Sequence, residues 1–204
     1  MPSATQLLAF LTISIVLILI PGPSVLFIVS RAVAMGRGAA VRTALGNAVG
    51  ALVLVVGVSV GLGALFSVAS VGYEVVRYAG AAYLVYLGIQ AIRHRRDFAL
   101  RASDRPAHRV WLEGLLVGVT NPKTAVFFAA VLPQFVDTTR PATPQLLVLG
   151  TIFVALAAIC DSCWGLLAGT ARHWFATHPR RLHGLSATGG GVMIALGAGI
   201  ALSE

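Results

Sequence analysis

The chain has 204 residues, 57% of them hydrophobic and 11% charged, with 15 Lys and Arg against 7 Asp and Glu. A soluble domain usually carries about twice that charged fraction, and the apolar stretches here are long enough to cross roughly 30 Å of hydrocarbon as helices. The composition excludes an ordinary soluble domain, and the net charge of +8 does not point to nucleic acid, because the arginines sit in short segments between apolar runs and not among aromatics.

Hydropathy and turn residues predict six spans, at about 5–30, 42–66, 73–92, 112–135, 145–171 and 184–202. The first has no Lys or Arg before it and runs through Pro21-Gly22-Pro23 to Val29. That pattern fits a mature helix and not a cleavable leader. Proline lacks the backbone N–H and leaves the carbonyl four residues earlier unpaired. In hydrocarbon such a group must find another donor. The Pro-Gly-Pro run is therefore expected to open the first span, exposing carbonyls and a new helix N-terminus beside Ser24.

Span two carries Asn47, which fits either an interhelical hydrogen bond or a substrate contact. Gly46, Gly50, Gly57 and Gly61 form one helical stripe, the spacing that lets helix backbones approach closely. Span three contains Gly80-Ala-Ala-Tyr83-Leu-Val-Tyr86-Leu-Gly88, and a polar connection over 93–111 follows. In span four Glu113 is expected as a solvated carboxylate at the cytoplasmic mouth. Asn121-Pro122-Lys123 then makes a second break, and Lys123 is the only lysine in the chain. Thr124 and Gln134 are further polar residues of this span.

Span five holds Asp161 near its middle. At about 1.5 Å of rise per residue, Lys123 and Asp161 sit within roughly 5 Å of one another in depth. A charge at mid-bilayer costs about 2.5–3.5 kcal/mol or more, so both should face the interior, either as a structural pair or as a functional one. Cys160 and Cys163 flank Asp161 in a C-x-x-C spacing. They lie mid-helix and not at the helix start that redox chemistry of this type requires. No His or Cys spacing suggests a metal site, and no cofactor is expected. Span six carries Gly189-Gly190-Gly191, which lowers its helix propensity.

Basic residues alternate between connections. Arg31, Arg37 and Arg42 fall in the first, Arg77 alone in the second, and Arg93, Arg95, Arg96, Arg101, Arg105 and Arg109 in the third. Arg140 is alone in the fourth, and Arg172, Arg180 and Arg181 fall in the fifth. The positive-inside bias then puts both termini outside, in the periplasm of a bacterial inner-membrane protein. An even span count with paired breaks at Pro21–Pro23 and Asn121–Lys123 suggests one transporter domain over 1–204. It would be built from two inverted three-helix halves, 1–98 and 99–204, in an all-α membrane fold.

Ile20-Pro21-Gly22-Pro23, Asn47, Gly80 to Gly88, Asn121-Pro122-Lys123, Phe127-Phe128 and Pro133-Gln134-Phe135 together resemble the LysE/RhtB exporters. The resemblance covers the whole chain. It implies a bacterial inner-membrane exporter of amino acids or their derivatives, driven by the proton gradient, and not an enzyme. On this reading a midplane substrate site gathers Pro21, Gly22, Pro23, Ser24, Asn47, Asn121, Pro122, Lys123 and Asp161. The substrate carboxylate would lie near the broken helices and Lys123, and its ammonium near Asp161, Asn47 and Asn121. Asp161 is also the candidate proton-coupling group. The partners expected are a small amino-acid substrate and membrane lipid, with a homodimer compatible with the Gly stripe. A thiol-redox carrier using Cys160 and Cys163 and an inorganic cation exporter are the competing classes.

Overall fold

A computed structural model describes residues 4–66, 71–93, 107–137, 139–176 and 180–202, and every regular element among them is helical. The remainder, including most of the 93–111 connection, lies outside the described residues. The first expected span is two helices, α1 (Ala4–Leu19) and α2 (Pro23–Met35), with axes bent by 47° across the Pro-Gly-Pro run. Pro23 opens α2 at its first turn, where a missing N–H costs nothing. Gly36, at φ 88°, turns the chain directly into α3 (Arg37–Phe66). Helix α4 covers Val71–Arg93 and α5 covers Ala107–Val119.

The second break follows α5. Helix α6 (Pro122–Val126) runs into a π-helical turn over Phe127–Val131 and a 3₁₀ turn over Leu132–Phe135. Gln145 then braces the connection. Its Oε1 accepts from the Asp137 amide at 3.0 Å, and its Nε2 donates to the Asp137 carbonyl at 3.0 Å. Hydrogen bonds from the Thr139 hydroxyl and amide hold the half-buried Asp137 carboxyl below its ordinary pKa. The chain continues as α7 (Ala142–Thr170), α8 (Arg172–Ala176) and α9 (Arg180–Leu202).

Among the described residues, Arg37–Gly61, His108–Phe135 and Ala142–Thr170 are each long and apolar enough to cross a membrane, and the bent α1–α2 pair makes a fourth candidate. Helices α4 and α9 occupy the positions of the third and sixth expected spans. They meet where Gly88 lies against the backbone of Gly190 and the side chain of Ile194. Large apolar side chains such as Leu8, Val53, Val56, Val60, Leu116, Ile159 and Leu167 are exposed, as lipid-facing residues would be.

Helix α3 is the hub, packed between α5 and α7. Against α7 it runs antiparallel: Arg37 faces Gly169, Ala40 faces Gly165, Asn47 faces Asp161 and Val55 faces Gly150. Against α5 it runs parallel through two interlocked small-residue pairs. A side chain at Gly46 would strike the Trp111 carbonyl, at Gly50 that of Leu115, at Gly114 that of Thr43, and at Gly118 that of Asn47. The Gly stripe predicted on span two is therefore divided. Gly46 and Gly50 bring two backbones together, whereas a side-chain carbon at Gly57 or Gly61 would meet no atom of the described residues within 4 Å. The physical reason is that α5 ends at Val119, level with Gly50, and the chain turns away there.

Glu113 also departs from expectation. It is not a solvated carboxylate but accepts from Arg31 Nη2 at 2.7 Å, tying α5 to α2 with side chains 22% and 11% exposed. The Arg31 guanidinium also lies 4.8 Å from the centre of the Phe27 ring. Nearby, Arg172 Nη2 donates to the Ala34 carbonyl at 3.0 Å.

Candidate functional site

The two helix breaks meet. Pro21 cannot donate to Leu17, and the chain leaves the helix before Ser24 could donate to Ile20, so two carbonyls at the end of α1 lack helical partners. The Lys123 ammonium supplies both bonds, at 3.0 Å to Leu17 and 2.9 Å to Ile20. In the second break Asn121 caps α6, its Oδ1 accepting from the Lys123 amide at 3.1 Å. Its Nδ2 donates to Ser24 Oγ at 2.7 Å, across to the first break. Ser24, Asn121 and Lys123 are all buried. Each break thus supplies polar partners to the other.

Gly22 is pressed between these groups. A side-chain carbon there would lie 3.2 Å from Lys123 Nζ and 3.2 Å from Met193 Cε of α9. Gly189 of α9 lies against the Pro21 carbonyl, so the break is covered from that side as well. Gly22 leaves the start of α2 without a side-chain cap. The first N–H groups of that helix have no partner within it.

Opposite, α3 and α7 bring Asn47 and Asp161 together. Asn47 Nδ2 donates to Asp161 Oδ2 at 2.9 Å, and both residues are buried. This fixes the amide orientation and leaves Asn47 Oδ1 buried with no hydrogen-bond partner. Such an atom costs about 1–3 kcal/mol unless something donates to it. Lys123 and Asp161 make no direct ion pair. The lysine is committed to the α1 carbonyls and the aspartate to Asn47, so the structural Lys–Asp tie considered from the sequence is not what holds the halves together.

Both groups nonetheless line one small cavity, with Gly22, Ser24, Asn47, Asn121 and Thr124. Every predicted site residue except Pro21, Pro23 and Pro122 lines it, and the three prolines shape the breaks that do. Gln134 lies away from it, exposed and bonded to the Ala130 carbonyl at 2.9 Å. The rest of the wall is apolar: Ile18, Val25, Ala48, Ala51, Phe153, Ala157 and Ala158. Sequence reasoning passed over these because alanines in apolar helices carry no chemical signal. It also passed over Gly114-x-x-x-Gly118, whose spacing was visible and which sets Asn47 beside the second break. Phe153 stacks on Phe127 of the π turn at 4.7 Å and meets Phe128 edge-on at 5.1 Å. Phe10 and Phe135 extend that aromatic cluster.

Cys160 is half-buried and Cys163 exposed, both inside α7. Among the described residues no three His, Cys, Asp or Glu side chains converge.

A sequence model of the LysE type translocators matches residues 15–204. The homoserine/homoserine lactone efflux protein of Salmonella typhimurium is 32% identical over 93% of each chain. An uncharacterized membrane protein of Vibrio cholerae is 34% identical over 74% of this chain and 75% of its own. The leucine efflux protein of Salmonella choleraesuis is 28% identical over 83% of this chain and 79% of its own. No solved structure gives a significant match. With an all-helical apolar bundle, two interlocked helix breaks and a family match over nearly the whole length, this chain belongs to the LysE type translocator family.

Proposed function

We propose that the protein exports amino acids or close derivatives across the bacterial inner membrane, coupled to protons, by alternating access at the cavity between the breaks. The observation that carries this reading is the buried, unpartnered Asn47 Oδ1 beside the Asp161 carboxylate, facing a cavity that also holds Ser24, Lys123 and the start of α2. Acceptors on one side suit an ammonium. Donors on the other suit a carboxylate, which the uncapped helix N-terminus and the third N–H of Lys123 can receive. An amino-acid zwitterion presents both ends. The amino-acid efflux proteins among the relatives support the substrate class.

Asp161 is the proton site in this reading, binding the substrate ammonium and a proton in alternation. The aromatic cluster around Phe127 and Phe153 on one side and the Arg31–Glu113 contact on the other are the two gates. Six spans in two inverted halves, with both termini periplasmic, are supported by the arginine alternation and by the packing. Span one packs on α7 through both α1 and α2, as span four packs on α3 through both α5 and α6, and α4 pairs with α9.

The test is efflux of an amino-acid panel from cells overproducing the protein, with and without a proton uncoupler. Export should appear over the vector control, fall with the uncoupler, and be lost in Asp161→Asn at unchanged membrane abundance. Undiminished export by that variant removes Asp161 from the mechanism.

A further inference from the structure

The polar groups of the cavity account for the two ends common to all amino acids; what remains is the wall that meets the side chain. On α7, Phe153, Ala157 and Asp161 are spaced i, i+4 and i+8, so they form one row along the helix. On α3, Asn47 and Ala51 form the facing row. The antiparallel register that sets Asn47 opposite Asp161 places Ala51 level with Ala157, one turn further on. That turn is about 6 Å of rise, close to the reach from an amino-acid nitrogen to the tip of a four-carbon branched side chain. The following turn on α7 is closed by the Phe153 ring, 3% exposed and stacked on Phe127.

Charge narrows the occupant further. Among the described residues lining the cavity, Asp161 is the only carboxylate and Lys123 the only cation. The backbone ends of a substrate use both. A second charge on the side chain would enter the Ala51–Ala157–Phe153 wall without a counter-charge, which is strongly unfavourable in a buried site.

We infer that Ala51, Ala157 and Phe153 form the side-chain subsite, which takes an uncharged aliphatic or hydroxyl chain up to about leucine size and rejects a charged one. This rests on the exporter reading above. The two alanines set the width and the Phe153 ring sets the length. Adding three carbons at Ala157 or two at Ala51 fills the turn where a branched tip sits, whereas removing the ring lengthens the chamber.

The experiment is counterflow of labelled alanine, homoserine, leucine, phenylalanine and lysine in proteoliposomes holding the full chain. Wild type should carry leucine about tenfold or more faster than lysine, the discrimination expected when one ligand leaves a buried group unpaired. Ala157→Leu should cut leucine transport about tenfold or more while alanine falls much less, since a single methylene is worth roughly 10- to 200-fold in a tight pocket. Ala51→Val, a smaller intrusion from the facing helix, should shift selectivity the same way and serves if Ala157→Leu does not fold. Phe153→Ala should raise phenylalanine relative to leucine. Equal loss of all substrates in folded Ala51→Val, or lysine carried as fast as leucine by wild type, overturns the subsite. If wild type carries none of the five, the exporter reading itself fails. Transport with unaltered ranking in every variant leaves that reading standing and removes only the subsite.

Discussion

Lys123 Nζ lies 2.9 Å from the carbonyl oxygen of Ile20, a residue 103 positions earlier in the chain. A buried cation here satisfies the backbone of a helix that proline has interrupted, and it does so from the matching interruption in the second half. The consequence is mechanical. The two breaks cannot separate unless those carbonyls lose their donor, so any rearrangement of α1 against α6 must pass through Lys123.

Lys123→Met should therefore impair the fold as well as transport. Two buried carbonyls left without a donor cost about 1–3 kcal/mol each. The variant should melt at lower temperature in detergent, followed by fluorescence-detected size exclusion, and should export at no more than about a tenth of the wild-type rate. Lys123→Arg keeps the charge and donors but not the shape, and should recover stability more than transport. A residue that touched only substrate would change the apparent KM and leave the melting temperature where it was.

Asn47 and Asp161 form the other polar contact, and their coupling can be measured. Asn47→Leu removes both the donor to Asp161 and the unpartnered Oδ1, and should lower export by about tenfold or more, since hydrogen bonds to a charged group are worth roughly 1.5–3 kcal/mol. Asn47→Leu combined with Asp161→Asn should cost little more than Asp161→Asn alone, because the two side chains act as one unit. Because Asp161→Asn alone should abolish export, melting temperature in detergent, measurable in all four proteins, completes the cycle. Additive losses would show the two residues acting separately.

The site was legible from sequence where its signal was chemical. Prolines in an apolar run announce a break, and a lone lysine or aspartate in hydrocarbon announces an interior position. Asn47, Asn121, Lys123 and Asp161 do line one cavity. Partner choice was not legible. Depth alone brought Lys123 and Asp161 within reach of each other, but it holds no information about rotation around the helix axes. The carbonyls that hold Lys123 belong to Leu17 and Ile20, residues with no polar side chain. Helix positions followed hydropathy closely, whereas the π turn at Phe127–Val131 leaves no mark in composition. Its effect is to bury Phe127 and Phe128 together.

Arg31 and Glu113 should prove interdependent. The pair is mostly shielded, and Arg31 Nε is already buried without a partner, so losing Glu113 would leave a cation poorly compensated. Glu113→Gln should destabilise the protein more than a surface pair would, toward the 3–5 kcal/mol range for breaking buried pairs and above the ~1 kcal/mol of exposed ones. The Arg31→Gln, Glu113→Gln double variant should be more stable than Glu113→Gln alone, because it removes the orphaned charge. Melting temperature in detergent decides it. A double variant as unstable as the sum of the singles would show that the two groups do not depend on each other.

The glycines of α3 offer a comparison within one helix. At Gly46 an added methyl would meet the Trp111 carbonyl, and Leu115 and the turn below leave no flexible side chain to move aside. The helices must part instead. That would disturb the contact which holds Asn47 against Gly118, three residues before Asn121. Gly46→Ala should thus cost about 1–3 kcal/mol of stability, the usual range for overpacking, and reduce export in proportion. Gly57→Ala adds the same methyl to an exposed position with nothing within 4 Å among the described residues, where alanine favours the helix by up to about 1 kcal/mol. It should leave melting temperature and efflux at or slightly above wild type. Loss of activity in Gly57→Ala with the monomer still folded would mean that this face packs against something beyond the described residues, and crosslinking in native membranes would then show whether that is a second molecule.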